Sequence, residues 1–166
     1  PEVFERWKYI TPNFSMRMSN LAAALLRPQI GMLGERGQRW NTIYAQLERA
    51  ISPAKNLTVP KRHPKEEYVA SSIQFSLDLS TLQIERFLAE CDLRGLYVKW
   101  FGKTKPVAFT SNYAHWHYLP KQAPMEESMQ VLSQLFDLRT PLSLTAADCD
   151  LIGQIIVAAA DIAGAN

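Results

Sequence analysis

Apolar residues recur at helical spacing between positions 40 and 51, where Trp40, Ile43, Tyr44, Leu47 and Ile51 fall on one face. Upstream, Ser19 has the side chain of an N-cap, and Leu21, Leu25 and the alanines between them begin a helical pattern. Pro28 is expected to kink or restart that helix, because proline removes a backbone donor and crowds the preceding turn. Gly31, Gly34 and Gly37 follow before the periodicity returns. Together these signals predict a long bent helix or a helical hairpin over about 19–52. Residues 1–18 are predicted irregular, with Pro1, Pro12 and Asn13 as breakers. Their aromatics, Phe4, Trp7, Tyr9 and Phe14, mark an arm made to pack against another surface.

The pattern changes after position 52. Prolines and lysines at 53–67 predict a surface connection, and 68–79 alternates as a strand does, with Val69, Ile73, Phe75 and Leu77. Ser80 with Gln83 forms a capping-box signature. It opens a helix with Leu82, Phe87, Leu88 and Cys91 inward and Gly95 as its stop. A second strand is predicted at 96–101, then an aromatic loop at 102–122. A helix from Pro124 follows, with Met129, Leu132, Leu135 and Phe136 inward. A short strand at 139–144, broken by Pro141, leads to a last helix capped by Thr145 and carrying Leu151, Ile152, Ile155, Ile156 and Ile162. The expected class is α+β, a small antiparallel sheet with helices on one face, following the long helical region. The expected division is an arm and connecting helix region at 1–52 and a small domain at 53–166.

Composition narrows the function. At 166 residues, 47% hydrophobic and 20% charged, the chain has the makeup of a folded domain. A net charge of +2 argues against a nucleic-acid partner. The one basic stretch, with Lys61, Arg62 and Lys65, is interrupted by Pro60, Pro64, Glu66 and Glu67 and reads as a solvated loop. Two separated cysteines, Cys91 and Cys149, fit buried thiols in a reducing cytoplasm better than a disulfide framework. No apolar run is long enough to span a membrane; the nearest, 151–163, contains Gly153, Gln154 and Asp161. A chain beginning at Pro1 without methionine points to further residues upstream. Walker, Rossmann, Gly-x-Ser-x-Gly and paired-cysteine motifs are missing, which leaves kinase, dehydrogenase and hydrolase readings without support.

The segment NFSMRMSNLAAALLRPQI, residues 13–30, resembles the motif with which DegT–DnrJ–StrS aminotransferases leave their large domain. Arg17, Met18, Ser19, Leu21, Ala23, Ala24, Leu25 and Gln29 match it in order. Arg36, Arg39, Trp40, Asn41 and Tyr44 are similar to the long helix that follows, and RGLYVKWFG at 94–102 and DLRTPLSLTAADCDLIGQII at 137–156 extend the likeness towards the C-terminus. The resemblance implies a fold type I enzyme using pyridoxal phosphate, with this chain as its C-terminal part. It implies a homodimer with the cofactor at the subunit interface, and transfer of an amino group from glutamate or glutamine to a nucleotide-linked keto-sugar or a keto-cyclitol. The lysine that holds the cofactor in this family lies upstream of the Arg-Met-Ser motif and precedes a glycine-rich turn. Lys8 has no such turn after it, so the catalytic lysine is expected outside this chain.

The resemblance also implies site residues. An asparagine two positions before the arginine reaches the partner's cofactor phosphate, as an uncharged donor can. Here Ser15 stands at that position and Asn13 two earlier, so either residue is the candidate. Asn13 after Pro12 is equally the composition of a turn. Arg17 is able to grip a phosphate or to anchor the helix start through a salt bridge. In the aromatic loop, which lies near the substrate cleft in the family, Phe109, Tyr113, Trp116 and His117 are the substrate candidates, with packing beneath the loop as the alternative. His115 and His117 would share a side of an extended chain, yet a zinc site wants three or four ligands and no third is spaced to join them. The competing functional reading is a self-standing α+β binding module without catalysis.

Overall fold

The computed structural model describes residues 2–12, 18–66, 68–106, 112–121 and 123–165. The strongest helical periodicity marks the helix that anchors the rest. Leu33–Ile51 (α3) buries Ile43, Tyr44, Leu47 and Ile51 as the spacing predicts. Ser19 caps the helix before it, Asn20–Ile30 (α2), by accepting from the Ala22 N–H at 3.1 Å. Pro28 does not restart the helix: it lies inside α2, and the chain turns at Gly31–Met32 instead. No residue of α2 is buried, so water can satisfy the carbonyl that Pro28 leaves without a donor. The arm is also more regular than expected. Glu2–Trp7 (α1) is a short helix, with Glu2 and Glu5 in its first turn and Arg6 in its last, charges that suit its dipole.

Four short strands follow: Leu57–Thr58 (β1), Ser72–Leu77 (β2), Lys99–Trp100 (β3) and Leu135–Arg139 (β4). They form one antiparallel sheet in the order β1-β2-β4-β3. Alternation along β2 sends Ile73, Phe75 and Leu77 into the core and leaves Gln74 on the opposite face. Phe75 is the direct cross-strand partner of Phe136, and the two rings stack at 5.4 Å. The helices Thr81–Leu93 (α4) and Ala146–Gly164 (α6) complete the core with α3. Phe87 of α4 meets Phe136 edge-on at 5.5 Å. The predicted capping box of Ser80 with Gln83 forms, and the predicted cap Thr145 forms a second one with Asp148. Hydrogen bonds from the Thr145 hydroxyl and N–H hold the Asp148 carboxyl below its usual value. Gly95 ends α4 with φ 75°, and the Leu96 N–H returns to the Cys91 carbonyl at 2.9 Å.

Several boundaries move. The second-last helix, Glu126–Gln134 (α5), is shorter than expected, because Leu135 and Phe136 leave it to pair with β2. Ladder hydrogen bonds and the Phe75 stack outweigh the helical spacing of those two residues. The strand expected at 139–144 is a turn: Thr140 is buried, its hydroxyl donates to the Ala70 carbonyl at 3.0 Å, and Pro141 follows. β1 lies within the connection expected to be unstructured. Leu82, expected inward, is exposed, as is Leu151 on α6, and Ile84, Cys149, Gly153 and Ala160 are among the buried residues of these two helices. Both cysteines are free and buried. Burial, with Asp92 adding to it, pushes the Cys91 thiol up to about 12, and burial likewise raises that of Cys149.

The crossing of α3 and α6 depends on one missing side chain. A Cβ at Gly153 would come within 2.4 Å of the Ala50 Cβ and 2.8 Å of its carbonyl oxygen. Backbone cannot yield as a flexible side chain can, so Gly153→Ala is expected to destabilise the chain by about 1–3 kcal/mol. Gly34→Ala, where an added Cβ meets nothing within 4 Å, is the control and should be neutral or slightly stabilising. Urea unfolding midpoints of the two variants check this.

Candidate functional site

The arm and the aromatic loop come together through contacts spanning about a hundred residues. Lys8 follows α1, and its side chain is almost wholly buried. Its Nζ donates to the Pro106 carbonyl at 2.9 Å and pairs with the Glu5 carboxylate at 2.8 Å. Next along, the Tyr9 carbonyl accepts from the His117 N–H at 2.9 Å, and the Tyr9 ring stacks on the His117 ring at 5.3 Å. His115 meets the same tyrosine edge-on at 6.2 Å. The arm does pack against another surface, and that surface is this loop.

The loop has its own internal supports. Buried Asn112 caps a 3-10 turn, Tyr113–His115, by accepting from the Ala114 N–H at 2.9 Å. The Tyr113 hydroxyl accepts from the Met125 N–H at 2.9 Å, which ties the loop to the start of α5. Trp116 and Tyr118 stack at 6.4 Å. Beside them lies a hollow of about 470 Å³ lined by Tyr113, Trp116, His117, Lys121 and Pro124. Its walls are aromatic and apolar with one ammonium at the rim, which suits a ring-bearing ligand with an anionic or hydroxylated edge.

Of the predicted substrate residues, Tyr113, Trp116 and His117 therefore share one cavity; Phe109 lies outside the described residues. So do all three cofactor candidates, Asn13, Ser15 and Arg17. The expectation that His115 and His117 project together from an extended chain is not met. The 3-10 turn separates them: His115 Nε2 sits 2.9 Å from the Thr104 carbonyl, while His117 lies against Tyr9. A carbonyl only accepts, so Nε2 carries the proton, and the buried Nδ1 has no partner among the described residues. Among the described residues no group of three His, Cys, Asp or Glu side chains is placed to hold a metal. The sequence marks the aromatics of this loop and Tyr9 as a packing residue of the arm, but neither Lys121 nor the Lys8 contact, whose partner is distant.

Residues 2–157 match the sequence profile of the DegT/DnrJ/EryC1/StrS aminotransferase family. The chain belongs to that family. No curated protein matches it in a sequence comparison. Among solved structures it is similar to a DegT/DnrJ/EryC1/StrS aminotransferase from Brucella abortus, at 16% identity and a TM-score of 0.64, over 96% of this chain and 43% of that one. It is similar to DesI, solved with its TDP-sugar product, at 11% identity and a TM-score of 0.69, over 96% of this chain and 41% of that one. DesV from S. venezuelae, solved with a ketimine intermediate, aligns with the whole chain at 16% identity and a TM-score of 0.67, over 45% of its own length. At such identities the likeness is one of fold. The chain spans less than half the length of each of these structures.

Aminotransferases of the DegT/DnrJ/EryC1/StrS family in general depend on pyridoxal phosphate. The described residues do not by themselves fit that group. A lysine that bonds an aldehyde needs a neutral amine facing open space, whereas Lys8, the lysine nearest the family motif, is enclosed and held by Glu5 and Pro106. Its role is to fasten the arm. A hydrogen bond from a charged group contributes about 1.5–3 kcal/mol, so Lys8→Met should raise amide exchange at residues 4–10 by about ten- to a hundredfold. Exchange in α6 should not change. Hydrogen-exchange mass spectrometry resolves the two regions; unchanged exchange in the arm would show that Tyr9 alone holds it.

Proposed function

We propose that this chain is the C-terminal part of a pyridoxal-phosphate aminotransferase that aminates a nucleotide-linked keto-sugar or a keto-cyclitol, with glutamate or glutamine as donor. The family match over residues 2–157 carries the reading. The fold shared with DesI and DesV supports it, as does an aromatic hollow of a size for a sugar-like ring. In this reading the 1–52 stretch is the arm and connecting helix region towards a large domain, and 53–166 is the small domain. The reading places the protein in the cytoplasm as a homodimer. α2 leaves Leu21, Leu25, Leu26 and Ile30 exposed, an apolar surface of the kind that a second domain or subunit covers.

Pyridoxal phosphate, when bound, supplies the electron sink for moving the amino group. The residues of this chain do the binding and positioning. Tyr113 and Trp116 would offer ring faces to the substrate, and Lys121 would balance an anionic edge. The Tyr9–His117 stack would fix the loop so that these faces are held before substrate arrives, which lowers the ordering cost of binding. Asn13 or Ser15 would reach the partner's cofactor phosphate, with Arg17 beside them. Residues 1–166 alone are then silent in transamination.

The test uses the longer protein. It should bind pyridoxal phosphate and show the visible absorption of a lysine-bound cofactor; a colourless protein that takes up none contradicts the reading. Asn13→Ala removes one hydrogen bond to a charged phosphate, worth about 1.5–3 kcal/mol, so cofactor affinity should fall roughly ten- to a hundredfold with folding unchanged. Ser15→Ala is the matched variant. Loss of affinity there, with none in Asn13→Ala, moves the contact to Ser15.

A further inference from the structure

A second polar cleft, of about 360 Å³, lies between α3, the 60–66 connection and the start of β2, and the function above makes no use of it. Sequence alone makes the 61–65 stretch a solvated basic loop, but Arg62 is not free in solvent. Its guanidinium lies 3.4 Å from the centre of the Tyr68 ring and 4.5 Å from that of Tyr44, which is itself buried. The close Tyr68 ring, with Tyr44 beside it at a steep angle, restricts how the guanidinium can turn before any ligand arrives. Its pairing within the protein is incomplete. Nε is buried with no partner among the described residues, and the carboxylate that pairs with Arg62 among them, on half-exposed Glu66, stands 3.9 Å from Nη1. A pair at that distance and exposure is weak.

The same cleft is lined by Lys61, by Ser71 and Ser72 where the chain enters β2, and by Gln74. Among the described residues, the cleft thus brings two cationic and two hydroxyl-bearing residues together with one carboxylate, that of Glu66. A carboxylate ligand has two oxygens, which the guanidinium fork alone can satisfy. The further donors match the three outer oxygens of a phosphoryl group. We propose that the cleft between Lys61, Arg62, Ser71 and Ser72 is a binding site for a phosphoryl group, carried by a nucleoside diphosphate or present as free diphosphate. Glu66 occupies the fork loosely in the empty site and is displaced by the ligand. The inference rests on the cleft alone and does not require the aminotransferase reading.

The test is an NMR titration of the 166-residue chain at low salt, with inorganic pyrophosphate and, separately, with uridine diphosphate and uridine. Both phosphates should give saturable shifts at 61–62 and 71–72, weakened by added salt, while uridine gives none. Tighter binding of uridine diphosphate than of pyrophosphate assigns the group to a nucleotide, and the reverse assigns it to free diphosphate; either upholds the site. Arg62→Gln should weaken binding at least about tenfold, and Lys61→Gln at least about threefold. Lys61 is exposed and lies outside the Tyr44–Arg62–Tyr68 stack, so its variant decides the matter even if Arg62→Gln fails to fold. Shifts that do not saturate, or affinity unchanged in Lys61→Gln, overturn the proposal.

Discussion

Helix α6 passes α3 so closely at Gly153 and Ala50 that no side chain fits between them, and the rest of the core is built around this crossing. α6 packs on α3 along one side and on α4 along the other, so it sets the spacing of the helical layer. That layer covers the face of the sheet bearing Ile73, Phe75, Leu77, Phe136 and Leu138. Alanines on the inward side of α6, at 159, 160 and 163, keep the approach close along its length. Dispersion attraction falls off within an ångström of extra separation, so a spacer at Gly153 would weaken contacts well beyond that residue.

What lies outside this core is shaped for other contacts. α2 has no buried residue, and the arm touches the rest of the protein through Lys8, Tyr9 and the aromatic loop. The two candidate binding regions share a device. In each, an aromatic contact fixes a side chain in place: Tyr9 stacks on His117 in one, and Tyr44 and Tyr68 hold Arg62 in the other. Both sit on connections rather than on strands, where ligand-facing residues are commonly carried by a rigid scaffold.

The parts of the fold that depend on neighbouring residues were legible in the chain. The apolar face of α3, the caps at Ser19, Ser80 and Thr145, and the left-handed glycine at 95 all follow from spacing and local hydrogen bonding. So did the family, because its motifs keep their order. Features decided by distant partners were not legible. Leu135 and Phe136 have helical spacing, yet β2 claims them, and Pro28 is tolerated because α2 lies at the surface. Lys8 shows as a candidate only in contrast to a catalytic lysine; its actual role needs Pro106, nearly a hundred residues away. Arg62 looks like a solvated charge until Tyr44 and Tyr68 are brought against it.

α3, α6 and the sheet form one cooperative unit, to which α2 is only appended. Native-state hydrogen exchange followed residue by residue tests it most directly. Amides of 43–51, of α6 and of β2 and β4 should exchange together in the slowest class, at the rate of global unfolding, while those of α2 exchange orders of magnitude faster. Protection of α2 equal to that of α6, or opening of α6 while β2 and β4 stay closed, would contradict it.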